Sequence, residues 1–79
     1  MQINVRLTAL FALRAGASQL SVTLAENGTL ADLMQAIEAQ FGVMDVPVYF
    51  MVNGKMEKAL TAPLVDGSDV TVLMASGLP

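Results

Sequence analysis

One amphipathic helix, set between stretches of alternating strand pattern, restricts this chain more than any other feature. Leu30, Leu33, Met34, Ile37 and Phe41 recur at i, i+3, i+4, i+7 and i+11, which is a single apolar stripe of an α-helix. Thr29 stands at the N-cap position, and Asp32 three residues on can complete a capping box. Gly42 stands where a left-handed cap would end the helix. Asp32, Gln35, Glu38 and Gln40 fall on the other side. A lone helix of this kind must lay its stripe on one face of a sheet.

The flanking segments supply that sheet. Ile3, Val5 and Leu7 alternate with Gln2, Asn4 and Arg6, and Leu20, Val22 and Leu24 alternate with Gln19, Ser21 and Thr23. Each stretch is a strand with one apolar and one polar face. Residues 9–18 between them read as a long, partly apolar connection that carries Phe11 and Leu13 and bends at Gly16. Asn27-Gly28 breaks the second strand. After the helix, Val48, Phe50 and Val52 alternate with Tyr49 and Met51, and Asn53-Gly54 is the strongest short hairpin signal. Residues 55–59 return as a short, polar edge strand. Pro63 and Asp66-Gly67 mark a loop and a turn, and Val70, Val72 and Met74 alternate with Thr71 and Leu73. The order β-β-α-β-β-β predicts an α+β fold, a mixed sheet of four to five strands with one helix packed on one face and the last strand in a central place.

Composition narrows the chemistry. The 79 residues suit one domain, read here as residues 1–75 with a flexible tail at 76–79. The chain has neither Cys nor His. That removes disulfides, thiolate catalysis, Cys-ligated zinc and the commonest general base, so no catalytic and no metal-binding residues are assigned. Asp66 and Asp69, with Gly67 and Ser68 between them, read as a turn rather than a calcium loop, because the alternating ligand pattern is missing. Net charge is −3, and the four basic residues, Arg6, Arg14, Lys55 and Lys58, form no run, which argues against nucleic acid. The longest apolar run, residues 46–52, is far shorter than the roughly 18–20 residues of a membrane span. Residues 7–13 followed by Ala15-Gly16-Ala17 look slightly like a signal peptide. Its removal would delete Ile3, Val5 and Leu7, so a cytoplasmic location without membrane attachment is expected.

The element order is that of the ubiquitin-like β-grasp fold, and several local motifs point to one branch of it. Phe11-Ala12-Leu13-Arg14-Ala15-Gly16, Thr29-Leu30-Ala31-Asp32-Leu33, Val52-Asn53-Gly54 and Pro63-Leu64-Val65-Asp66-Gly67-Ser68-Asp69-Val70 occur in order along the chain. In sequence and spacing they resemble the sulfur-carrier family of molybdopterin-synthase small subunits and thiazole-synthesis carriers, over nearly the whole length. The resemblance implies a carrier whose tail carboxylate is adenylated by a partner enzyme and converted to a thiocarboxylate. The tail then delivers sulfur inside a larger synthase-type subunit. Family tails end in Gly-Gly, because side-chain-free residues can thread a narrow channel. This chain carries Ser76-Gly77-Leu78-Pro79 instead, so Ser76 and Gly77 are the tail candidates and Gly77 becomes the carboxyl donor after trimming. No bound cofactor is expected beyond that thiocarboxylate.

Strand alternation puts Tyr49, Met51 and Leu73 on the sheet face away from the helix, where the first two strands show only polar residues. An apolar patch beside the tail is what docking on a larger protein requires. Two readings stay open at this point: a sulfur carrier in molybdopterin or related cofactor biosynthesis, and an interaction module or accessory subunit that keeps the fold without conjugation.

Overall fold

A computed structural model describes residues 1–42 and 47–74. Its elements are β1 (Gln2–Leu7), α1 (Ala9–Ala15), β2 (Gln19–Thr23), α2 (Leu30–Phe41), β3 (Val48–Val52), β4 (Lys55–Glu57) and β5 (Asp69–Met74). The five strands form one sheet in the order β2-β1-β5-β3-β4. The β1–β5 pair is parallel and the others are antiparallel. This is the expected mixed β-grasp sheet, with the last strand at its centre.

The inward residues of the alternating strands meet the stripe of α2. Ile3, Val5, Leu7, Phe50, Val70 and Val72 are buried from the sheet side, and Leu30, Leu33 and Ile37 from the helix. Full burial of each such side chain stabilises the fold by about 1.5–3 kcal/mol. Met34, Phe41, Val48, Val52 and Met74 pack around this cluster, half-buried. Leu64, in the loop before β5, joins the core.

The start of α2 accounts for its unpaired donors. The Thr29 backbone N–H donates to the Asp32 carboxylate (2.9 Å), and the Asp32 N–H donates to Thr29 Oγ1 (3.3 Å), which closes the capping box. The Leu30 and Ala31 N–H groups donate to the carbonyls of Ala62 (3.2 Å) and Leu60 (2.9 Å). Thus the loop after β4 finishes the cap that the sequence begins. At the other end Gly42 donates its N–H to the Glu38 carbonyl, but its φ of 96° and ψ of 167° lie outside the left-handed cap region. That conformation is almost confined to glycine, so the residue ends the helix by a different geometry from the one expected.

The connection between β1 and β2 departs from the sequence reading. It is not an open loop but a short helix, α1, made largely of the strong helix formers Ala, Leu and Arg. Gly16, at φ 74°, caps it, and the Gly16 and Ala17 N–H groups both donate to the Ala12 carbonyl, at 3.0 and 3.2 Å. Phe11 is the reason the helix stays in place, since its ring is buried beside Leu7 and Ile37, while Leu13 remains exposed. Thr8 does not cap α1 with its side chain. Its hydroxyl donates instead to the Val72 carbonyl in the central strand (2.8 Å). The return strand β4 is also shorter than expected, ending at Glu57.

Candidate docking surface

Register decides which side chains share the open face. Tyr49 lies directly opposite Leu73, and Met51 lies opposite Thr71 on one side and Met56 on the other. Opposed residues project to the same face with Cβ atoms about 4.5–5.5 Å apart. Tyr49, Met51, Met56 and Leu73 therefore form one apolar group. Tyr49 is 43% exposed and Met56 is 49% exposed. Met51 and Leu73 are half-buried between them.

The same rows show where the group ends. The Met56–Met51–Thr71 row continues to Arg6 on β1 and Gln19 on β2. The next row runs from Asp69 to Asn4 and Ser21. Beyond it, the Gln2 side-chain amide donates to Thr23 Oγ1 (2.9 Å) and accepts from Ser21 Oγ (2.8 Å). One half of the open face is thus apolar, and the other is a hydrogen-bonded polar surface. Exposed contiguous apolar side chains bounded by polar ones are what a protein-binding surface presents.

Two turns hold the apolar half in register. Asn53 and Gly54 have φ of 51° and 84°, the pair of positive values a two-residue hairpin needs. Asn53 also reaches sideways: its N–H donates to the Asp69 carbonyl (2.8 Å), and its Oδ1 accepts from the Asp69 N–H (2.9 Å). The hairpin is thereby tied to the first residue of β5. On the other side of β5, Asp66 Oδ1 accepts from the Gln2 N–H (2.7 Å), and the Gly67 N–H donates to the Gln2 carbonyl (2.8 Å). Asp66 is committed to the fold as a turn residue. Among the described residues no group of acidic or imidazole side chains could hold a metal ion.

Of the residues singled out from the sequence, Tyr49, Met51 and Leu73 come together on the open face. Met56 belongs with them and was not assigned. Its place follows from the two-residue turn, which sets 52 against 55 and 51 against 56. Ser76 and Gly77 lie outside the described residues, as does the whole proposed tail. The last described residue of β5, Met74, is paired with Val48, one step beyond the Tyr49–Leu73 pair. No helix among the described residues is long and apolar enough to cross a membrane.

No family model matches the chain, and no curated protein matches it. Solved structures do. A putative molybdopterin converting factor subunit 1 from Pyrococcus furiosus superposes with a TM-score of 0.83 at 24% identity, covering 94% of this chain and 97% of the other. Small archaeal modifier protein 1 from Haloferax volcanii gives 0.82 at 19% identity, covering 98% and 99%. Subunit 1 or 2 in the complex of the molybdopterin-converting factor from Helicobacter pylori gives 0.61 at 17% identity, with both chains fully covered (100% and 100%). At these identities the likeness establishes the fold, which is the ubiquitin-like β-grasp shared by the family whose motifs the sequence resembles.

Proposed function

We propose that this chain is a sulfur-carrier-like protein that docks on a larger enzyme and presents its tail to it. The apolar group on the open face carries this reading. The Tyr49–Leu73 pair lies one step before the end of β5, from which the chain continues towards Ser76 and Gly77, and Met51 and Met56 adjoin it in the row of Thr71. Fold neighbours that include a molybdopterin converting factor subunit and a small modifier protein support it, as does the complex in which one neighbour was solved. In this reading the chain performs no catalysis. Once Leu78-Pro79 is hydrolysed off, an adenylating partner joins the Gly77 carboxylate to AMP from ATP with loss of pyrophosphate. Sulfide-level sulfur then attacks the acyl carbon, AMP departs to give a thiocarboxylate, and a molybdopterin- or thiazole-synthase-type subunit receives the sulfur. The partner supplies acid, base and nucleophile in this reading, in keeping with a chain that has no Cys or His.

A second reading has one specific feature in its favour. Leu78-Pro79 follows Gly77, and proline fixes φ near −65° where the carrier family has freely rotating glycine. An untrimmed chain would act as a docking module without conjugation. Intact mass of the protein from its own host separates the two. A chain ending at Gly77, or one with a carboxylate oxygen replaced by sulfur, is the carrier's signature. A chain found only with Leu78-Pro79 and an unmodified carboxylate refutes the carrier. Gly77→Pro should abolish sulfur transfer and leave docking intact, and transfer at the normal rate in that variant would equally refute it.

A further inference from the structure

The two edges of the sheet are built differently. The β4 edge is three residues long, carries Lys55 and Glu57, and is followed by Lys58. Short length and charge are the devices that keep an edge from pairing with another chain. The β2 edge has neither. It is five residues, Gln19-Leu20-Ser21-Val22-Thr23, with no charge, proline or glycine, and no described strand pairs with its outer side, away from β1.

The direction of its free backbone groups follows from the ladder with β1. The Leu24 N–H donates to the Met1 carbonyl and the Leu7 N–H to the Ser18 carbonyl, both at 2.9 Å. By alternation, Val22 and Leu20 also bond inward to Ile3 and Val5. The intervening β1 residues turn their amides to the other side, Gln2 to Asp66 Oδ1 and Asn4 to the Ser68 carbonyl. Their partners on β2, namely Thr23, Ser21 and Gln19, therefore present N–H and C=O outward.

That edge is complementary to itself. In an antiparallel pair of copies centred on Ser21, Gln19 faces Thr23, Ser21 faces Ser21, and Leu20 faces Val22. Every outward N–H and C=O of Gln19, Ser21 and Thr23 then meets a partner. The half-buried Leu20 and Val22 fall on the closely spaced, non-hydrogen-bonded positions of the new ladder and cover each other on the helix side. Polar side chains meet polar ones on the open face, and no like charges are opposed.

We propose that the β2 edge is a self-association surface, through which two copies join their sheets across a two-fold axis at Ser21. The axis lies at the edge opposite β4, so the apolar group on β3, β4 and β5 of each copy stays open. A strand of this length buries less than the ~800 Å² per partner of a standard interface, so the dimer is weak and is to be sought between about 10 µM and 1 mM.

Sedimentation equilibrium of the whole chain across that range is the test. Ser21→Lys sets two ammonium groups against each other on the axis and is expected to weaken the dimer at least tenfold, with an unchanged circular dichroism spectrum. Ser21→Cys provides a second measurement that survives any folding defect of the lysine variant. Hydrogen-bonded antiparallel pairs hold Cα atoms about 5.5 Å apart, within disulfide range, and the chain has no other cysteine. Mild oxidation should cross-link Ser21→Cys and leave a Val65→Cys control, exposed in the loop before β5, monomeric. A wild-type chain that stays monomeric to 1 mM overturns the proposal and assigns the edge to a foreign strand or to nothing. A dimer indifferent to Ser21→Lys, or equal cross-linking of the two cysteine variants, overturns it as well.

Discussion

Asn53 combines two contributions that substitution can separate. Its φ of 51° lies in the left-handed region, which costs an ordinary residue about 1–2 kcal/mol and costs asparagine less. Its Oδ1 accepts the Asp69 N–H at 2.9 Å in an exposed position, where a hydrogen bond is worth about 0.5–1 kcal/mol. Asn53→Gly removes the side-chain bond and keeps the backbone at ease, so it should cost about 0.5–1 kcal/mol. Asn53→Ala removes both and should cost about 1.5–2.5 kcal/mol. Urea unfolding followed by circular dichroism reads the difference. With a slope near 1 kcal/mol/M for a domain of this size, the alanine midpoint should fall about 1 M below that of glycine. If alanine is no worse than glycine, the positive φ is not what the position requires. If both match the wild type within ~0.3 kcal/mol, the tie between the hairpin and β5 contributes nothing.

The other predictions concern the two faces of the sheet. Met51→Asp should leave the circular dichroism spectrum unchanged and reduce partner binding about tenfold or more, measured by titration calorimetry with whatever partner co-purifies, because the residue lies on the open face. Phe50→Asp, one residue earlier and 3% exposed, should unfold the chain under the same conditions. Phe11→Ala should cost about 3–5 kcal/mol if α1 is part of the core. A domain of this length is stabilised by only about 4–12 kcal/mol in total, so the thermal midpoint should drop by more than about 10 °C. A loss below ~1 kcal/mol would mean that α1 is a surface ornament rather than a packed element.

How much of this was legible from residues depends on how far each signal reaches. Thr29 with Asp32, and Asn53 with Gly54, act through their immediate neighbours, so their geometry was readable. Strand alternation separated Tyr49, Met51 and Leu73 from Phe50 and Val72 because the side-chain period of a strand is two. The helix over Ala9–Ala15 was not readable, since seven residues give two turns, too few to distinguish helical periodicity from an apolar connection. What decides the matter is Phe11 finding Leu7 and Ile37, a tertiary fact. The completion of the α2 cap by Leu60 and Ala62 is tertiary in the same sense. Met56 was within reach through register arithmetic, since a two-residue turn at 53–54 sets 51 against 56. The role proposed for the tail rests on a partner, and no pattern in Ser76 and Gly77 specifies one.

The central position of β5 also governs the order in which the molecule can be made. During synthesis β1 and β2 emerge first, and α2, β3 and β4 follow. Until residues 69–74 appear, the strand that joins the β1–β2 and β3–β4 pairs is missing, and β1 and β3 share no hydrogen-bonded neighbour among the described residues. The sheet therefore cannot close until residues 69–74 have left the ribosome, and its closure waits on a parallel pairing of high sequence separation, between β1 and β5. A stalled or truncated product lacking those residues would leave the facing edges of β1 and β3 without their ladder partner, a ready target for chaperones and proteases.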